Sequence, residues 1–329
     1  MRAVVVHAFG TPESLAVETI PDPQPRPDEV VIDVKASTAN FVDTLVIAGK
    51  YQFLPPLPFT PGKGPAGVIS AVGSNVKNLS VGDRVLTTAE EGGYAEKAVA
   101  KASHCYRISD NMSFIDAASI SLAFDTSWFA LRERAHVKPG EVVLVLGASG
   151  AVGTAAVQLA HAFGARVIGG VSSPQKAAAV REAGAFATVD LSAPDLRDSL
   201  RQQVYALNDG RGVDVVIDPI GDRFLAPALR TLDWCGRYVV VGFAAGEIPT
   251  LKVNYLLLKN IQISGLQVSD YRKRRPERMN ECFKELLELY EKGAIRAPTS
   301  RPVPLEQFAD ALDQVVKREA GARLVLTPS

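Results

Sequence analysis

The segment GASGAVG, Gly147 to Gly153, carries the sequence's clearest chemistry. It follows the apolar run VVLVL and leads into an uncharged stretch of helical period. Aligned on its last two glycines it reads Ala148-Ser149-Gly150-Ala151-Val152-Gly153, the dinucleotide loop with alanine in the first glycine position. Gly150 lets backbone approach a pyrophosphate, Gly153 lets the helix pack on its sheet, and the helix N-terminus offers N–H groups to the anion. A helix start that merely packs closely would ask for similar glycines, but the strand-loop-helix setting favours nucleotide binding. An NAD site places a carboxylate about 20 residues on, against the ribose 2′-hydroxyl. Here ARVIGGV ends in Ser172, Ser173 and then Lys176, with no acid before Glu182. A hydroxyl and an ammonium suit a 2′-phosphate, so the expected cofactor is NADPH. Lys176 alone reads equally well as a solvated charge in a helix's first turn; the missing acid decides.

Other chemistries find less support. A structural zinc needs four ligands and a catalytic zinc at least three, whereas the chain offers Cys105, Cys235 and Cys282 with His7, His104, His136 and His161. Only His104 and Cys105 adjoin, and neighbours on a strand point to opposite faces, so no metal is expected. His161 is read as packed in the helix beneath the loop. No GxSxG or Walker A pattern occurs. The run Tyr271-Arg272-Lys273-Arg274-Arg275, followed by Arg278, could meet a phosphate-bearing substrate tail or RNA. The reading preferred is a solvated loop leading into a helix.

The elements that must position the loop fall into two textures. Up to about residue 123 the chain shows short strands punctuated by Pro and Gly, such as AVVVHAF, EVVIDVKAS and AGVISAVGS. From about Asp125, strands alternate with helices expected over Gly153–Phe163 and Pro174–Ala183, the pattern of a parallel sheet covered on both faces. Helices are expected near Pro276–Lys292 and Leu305–Lys317, with a last strand in ARLVLTP. The 329 residues suit two domains, and 36 basic against 36 acidic residues give no net field to recruit nucleic acid or an anionic membrane. Residues 142–165 lack charge, but their glycines argue against a membrane span. With only a four-residue apolar run near the N-terminus and an odd number of scattered cysteines, a cytoplasmic enzyme is expected.

The ordered motifs TANFVDTL, LPFTPGKGPAGVISAVG, VGDRV, GGYAE, GASGAVG, SSPQK, GVDVVIDPIG, GRYVVVGF and GARLVL carry a resemblance over essentially the whole length. The chain resembles the zinc-free quinone oxidoreductase branch, which includes zeta-crystallin, of the medium-chain dehydrogenase/reductase superfamily. The resemblance implies an α/β protein: a mostly β, GroES-like catalytic domain from residues 1–124 and 267–329, around a Rossmann domain of residues 125–266, with the active site in the cleft between them.

Asn40 falls where zinc-dependent relatives carry a metal cysteine. Asn40, Tyr51 and Thr126 fall where the branch lines the nicotinamide and substrate, and are the implied catalytic residues. Gly242, Phe243 and Ala244, with Gly265, Leu266 and Gln267, fall where backbone meets the nicotinamide half. Ser172 and Lys176 match the 2′-phosphate site, and Arg323 of GARLVL is grouped with the cofactor residues. Three departures stand out: Gly64 replaces an acidic residue between the unusual Lys63 and Pro65, Leu45 replaces a frequent tyrosine, and Leu191 replaces a tyrosine that helps hold the adenosine phosphate.

The expected activity is NADPH-dependent hydride delivery to a small hydrophobic conjugated acceptor, a quinone or electron-poor alkene, without metal. The alternative is an NADPH-binding protein acting mainly as a redox-gated RNA-binding or structural protein. An apolar edge strand near Ile261–Leu266 predicts a twofold homodimer.

Overall fold

The computed structural model describes residues 1–328. The chain divides into two compact units, Met1–Leu122 with the chain from Ala297 onward, and Ala123–Arg296.

In Ala123–Arg296 the expected alternation produces six parallel strands. Across the sheet they run Ala187–Asp190, Arg166–Val171, Val142–Val145, Val213–Asp218, Leu232–Val240 and Gln262–Gly265. In chain order this is 3-2-1-4-5-6, the doubly wound dinucleotide-binding arrangement. The central strand Val142–Val145 is buried along its whole length, as a strand covered on both faces must be. Leu144, Leu146, Ile168, Val216, Leu229 and Tyr238 belong to the core around it. The uncharged stretch 142–165 therefore breaks into strand, loop and the helix Ala151–Ala162, and no described helix is long and apolar enough to cross a membrane. His161 is exposed in that helix's last turn, near Gly184, rather than packed beneath the loop.

The division differs from the expected one at its second boundary. Residues 267–296 belong to the second unit. The reason lies in long-range side-chain pairing. Arg272 of the helix Val268–Arg274 meets buried Asp125 at 2.7 Å. From the helix Pro276–Glu291, Glu285 accepts from Trp128 Nε1 and Arg132 Nη2, both at 2.6 Å. The basic run thus begins in a helix rather than a solvated loop, and Arg272, Arg275 and Arg278 are each ion-paired within the unit.

The first unit is mostly β. Its main sheet runs Ser300–Pro304, Arg323–Thr327, Glu29–Thr38, Ala66–Val72, Arg84–Thr87 and Cys105–Arg107, while Lys97–Lys101 also pairs with Glu29–Thr38. The C-terminal strand joins the N-terminal part through antiparallel pairing of Val325 with Thr38 and Leu326 with Ser37. Ile47, Phe59, Tyr94, Phe308, Leu312 and Leu326 belong to the core on which this sheet rests. The same pairing fixes the site, because Ala39 N–H donates to the Leu324 carbonyl at 3.0 Å and so brings Asn40 beside Arg323.

Candidate functional site

Because the six strands of the second unit are parallel, their C-terminal ends form one edge, where ligands of open α/β sheets bind. Every cofactor segment expected in this unit emerges there, apart from Thr126. The glycine loop follows Val142–Val145, Ser172 follows Arg166–Val171, Gly242–Ala244 follow Leu232–Val240, and Gly265–Gln267 complete the edge strand. The two key glycines answer to different demands. A Cβ on Gly153 would lie 2.2 Å from the Gly147 carbonyl oxygen, so the fold itself excludes a side chain. One on Gly150 would meet that oxygen at 3.3 Å, a contact that small shifts relieve. Ser149, Gly150 and Ala151 are exposed, and the helix begins without a side-chain cap, leaving its first N–H groups for an anion.

Ser172 and Lys176 come together, with Lys176 Nζ donating to Ser172 Oγ at 3.3 Å on an exposed turn. The acid at the end of the neighbouring strand, Asp190, is turned to Ser192, accepting from its N–H at 2.8 Å and its hydroxyl at 2.6 Å. Leu191 is buried against Gly170, packed as a core residue rather than a phosphate ligand. A hydroxyl, an ammonium and an open helix start fit the 2′-phosphate and pyrophosphate of NADPH.

Sequence reasoning missed the device that holds Gly242–Ala244. Asp218 Oδ1 accepts from the N–H groups of Ile220 and Gly221 at 2.9 and 2.8 Å, and Oδ2 from the Tyr238 hydroxyl at 2.6 Å. The resulting turn receives the N–H groups of Val241 and Ala244 on the carbonyls of Asp218 and Pro219. Burial pushes the Asp218 carboxyl up, against these three hydrogen bonds, and pushes the Tyr238 phenol well up. Thr126 follows Asp125 in the short helix Ala123–Trp128, its N–H and hydroxyl both directed to Asp125 Oδ1 at 2.5 and 3.3 Å. Burial raises the Asp125 carboxyl, and Arg272 offsets it.

Asn40, Tyr51 and Arg323 belong to the first unit. Asn40 starts the helix Phe41–Ile47 in a reciprocal capping box with Asp43. Its amide N–H groups go to the Thr38 carbonyl at 2.9 Å and Asp43 Oδ2 at 3.0 Å, and its Oδ1 accepts from Thr38 Oγ1 and Arg323 Nη2. The amide is thus committed inside the protein. Arg323 keeps an unspent donor, its buried Nε having no hydrogen-bond partner. Tyr94, which sequence reasoning did not select, donates its hydroxyl to Asp43 Oδ2 at 2.8 Å. Burial pushes the Asp43 carboxyl up against the pull of Tyr94 and Lys63, and pulls the Arg323 guanidinium down.

The departures at 63–65 have a steric account. Gly64 sits at φ +65°, a conformation that side-chain-bearing residues rarely adopt, and a Cβ there would fall 2.4 Å from Ser121 Oγ, so an acidic side chain in its place would be strained. Its neighbour Lys63 is buried, hydrogen-bonded to Glu90 and 5.1 Å from the centre of the Tyr51 ring. Leu45 is half-buried.

Among the described residues no group of three or more His, Cys, Asp or Glu side chains is arranged to hold a metal ion. The cysteines are free; Cys235 is exposed, while burial raises Cys105 to about 12 and Cys282 well above the usual thiol range. Since the thiolate is the reactive form, native protein at pH 8 should titrate one fast thiol per chain with a disulfide reagent. Loss of that reaction in Cys235→Ser checks the assignment, and two or three fast thiols would contradict it.

The chain matches the alcohol dehydrogenase GroES-like domain over residues 26–110 and the zinc-binding dehydrogenase domain over 151–291. It is 36% identical over 313 residues to rat quinone oxidoreductase-like protein 2, covering 94% of this chain and 88% of the relative. Two solved structures superpose over nearly all of it. Quinone oxidoreductase of Pseudomonas syringae gives a TM-score of 0.91 at 31% identity, covering 99% of each chain. That of Escherichia coli, in complex with NADPH, gives 0.90 at 29% identity, covering 100% of each. Sharing this two-domain frame and these identities along nearly its full length, the chain belongs to the zinc-free quinone oxidoreductase branch of the medium-chain dehydrogenase/reductase superfamily.

Proposed function

We propose that this protein is a cytoplasmic NADPH-dependent oxidoreductase that reduces a quinone or another conjugated carbonyl or alkene without a metal. The carrying observation is the Ser172–Lys176 pair beside an uncapped, open glycine loop, with the neighbouring carboxylate turned away to Ser192. The Escherichia coli relative bound to NADPH supports the same choice. NADPH supplies a hydride when bound. The chain's own part is binding, orientation and electrostatics. The Gly150 turn and helix start receive the pyrophosphate, and Gly242–Ala244 and Gly265–Gln267 present backbone to the nicotinamide half. Thr126 of the second unit and Tyr51 of the first are the catalytic side chains in this reading, and Asn40, through its committed amide, orients Arg323 rather than donating itself. Arg323 then provides a fixed positive charge toward cofactor or acceptor oxygen, the kind of preorganised stabilisation that developing charge requires. Steady-state NADPH oxidation with a quinone and enone panel tests this reading; an inert panel would refute it.

The protein acts as a homodimer in this proposal. Gln262–Gly265 ends the sheet and, among the described residues, pairs only with Leu232–Val240. Just before it, Ile248, Val253, Leu257 and Leu258 are all strongly exposed. An unpaired edge beside such apolar surface favours self-association, and pairing with its own copy satisfies the backbone by an isologous contact. Light scattering at micromolar concentration should give about twice the 35.1 kDa chain mass. Leu257→Glu with Leu258→Glu should give the single-chain mass, and a monomeric parent would contradict the proposal.

A further inference from the structure

Two segments of the second unit assigned to the cofactor, the glycine loop Gly147–Gly153 and Gly242–Ala244, share one support, the turn Asp218–Gly221. On one side this turn meets the loop. Gly147 sits at φ +57°, and a Cβ there would fall 2.7 Å from Ile220 Cγ2. On the other side the turn carries the second segment. Ala245 N–H donates to the Ile220 carbonyl at 2.9 Å, Asp222 N–H donates to the Glu247 carbonyl at 3.1 Å, and a Cβ on Gly221 would stand 2.7 Å from the Phe243 ring. The separation of loop and segment is therefore set by the turn. The turn in turn is fixed by Asp218, whose carboxyl closes it with one oxygen and accepts from the Tyr238 hydroxyl with the other.

Closing a turn does not require so much. An exposed Asn or Asp side chain closes one equally well, whereas Asp218 and Tyr238 are both fully buried. Among the described residues Asp218 has no ion-pair partner, and burying an acid without a cation is costly. Tyr238 lies in the strand Leu232–Val240 that leads into Gly242, so its hydroxyl ties the turn to the root of the segment that the turn carries. The glycine loop has supports of its own, with Leu146 N–H on the Ile217 carbonyl and Ala148 N–H on the Gly170 carbonyl, both at 3.0 Å. Loss of the Asp218 carboxyl would thus free the turn and Gly242–Ala244 while leaving the loop in place.

We infer that Asp218, anchored by Tyr238, is the positioning residue that sets the spacing between the phosphate-binding loop and the backbone on the nicotinamide side. The inference rests on the proposed placement of Gly242–Ala244 beside the nicotinamide half. NADPH needs both segments at a fixed separation. Adenosine 2′,5′-bisphosphate, which ends at its 5′-phosphate, needs only the loop, Ser172 and Lys176. A residue that merely stabilised the fold would not distinguish these two ligands, and that difference supplies the test.

Calorimetric titration of the whole protein with NADPH and with the bisphosphate makes the separation. Asp218→Ala should weaken NADPH about 100-fold, the scale of a displacement of about 1 Å in a positioned site, and the bisphosphate by less than about twofold. Asp218→Asn, which restores an acceptor for the Ile220 and Gly221 N–H groups, should bring NADPH back to within about tenfold of the parent. Tyr238→Phe should weaken NADPH about tenfold and again spare the bisphosphate; it carries the test should Asp218→Ala not fold. Leu229→Ala, in the core of the same sheet, should lower the thermal midpoint yet leave the ratio of the two affinities parental. Equal weakening of both ligands, or parental NADPH affinity in Asp218→Ala or in Tyr238→Phe, would overturn the inference. A parent that binds NADPH no more tightly than the bisphosphate would instead refute the placement of Gly242–Ala244 beside the nicotinamide half, and the role of Asp218 with it.

Discussion

Replacing Gly150 with valine should abolish measurable NADPH binding, by 100-fold or more, while leaving the protein folded. The Gly150 Cβ position meets only the Gly147 carbonyl oxygen, at 3.3 Å, and the residue is exposed at an ordinary φ of −78°. The fold therefore tolerates a side chain where an approaching pyrophosphate does not. Gly153→Ala should behave in the opposite sense. Its Cβ would stand 2.2 Å from backbone oxygen, so loop or helix must move, and overpacking of this kind costs about 1–3 kcal/mol. Thermal unfolding and fluorescence titration with NADPH, run on both variants, separate the two demands. Equal loss of stability in both would mean that Gly150 also serves the fold.

Lys176→Ala should remove most of the preference for NADPH over NADH. Lys176 is exposed, and its Nζ bonds only loosely to Ser172 Oγ at 3.3 Å, so little of the protein's own stability depends on it. A charge-assisted hydrogen bond contributes about 1.5–3 kcal/mol, which is about 10- to 150-fold in affinity. NADH, lacking the phosphate, should bind the variant and the parent alike. Equal affinity of the parent for both cofactors would contradict the 2′-phosphate assignment.

How much of this was legible in the sequence follows from the range of the interactions concerned. The Rossmann sheet was legible because its signals are local: an apolar strand, glycines at fixed spacing and a helical period each fit within about 20 residues. The helix expected over Pro174–Ala183 spans Pro174–Glu182 in the structure. The placement of residues 267–296 was not legible, since it depends on Arg272 meeting Asp125 across 147 residues and Glu285 meeting Trp128 across 157. The same holds for the catalytic-side network. Asn40 could be named, but its commitment to Asp43, Tyr94 and Arg323 spans separations of up to 283 residues, and that commitment turns an expected donor into a positioning group. Lys63 stood out as an oddity of the PGKGP turn. Its burial and its contacts to Glu90 and Tyr51 needed the fold.

The central claim is reduction of a conjugated acceptor without metal, and single-turnover NADPH oxidation in the presence of a strong chelator tests it most directly. Oxidising an alcohol requires a group that takes the hydroxyl proton and stabilises an alkoxide, work that a bound metal performs in metal-dependent relatives. A conjugated acceptor needs less help, because delocalisation spreads the incoming charge and a few oriented donors stabilise its oxygen. Mixed with an ortho-quinone or a planar enone, the NADPH-loaded protein should lose its absorbance at 340 nm in one enzyme equivalent, with chelator present. The same protein with NADP⁺ and simple aliphatic alcohols should show no reverse signal. Activity that disappears with chelated zinc, or robust alcohol oxidation by metal-free protein, would contradict the account.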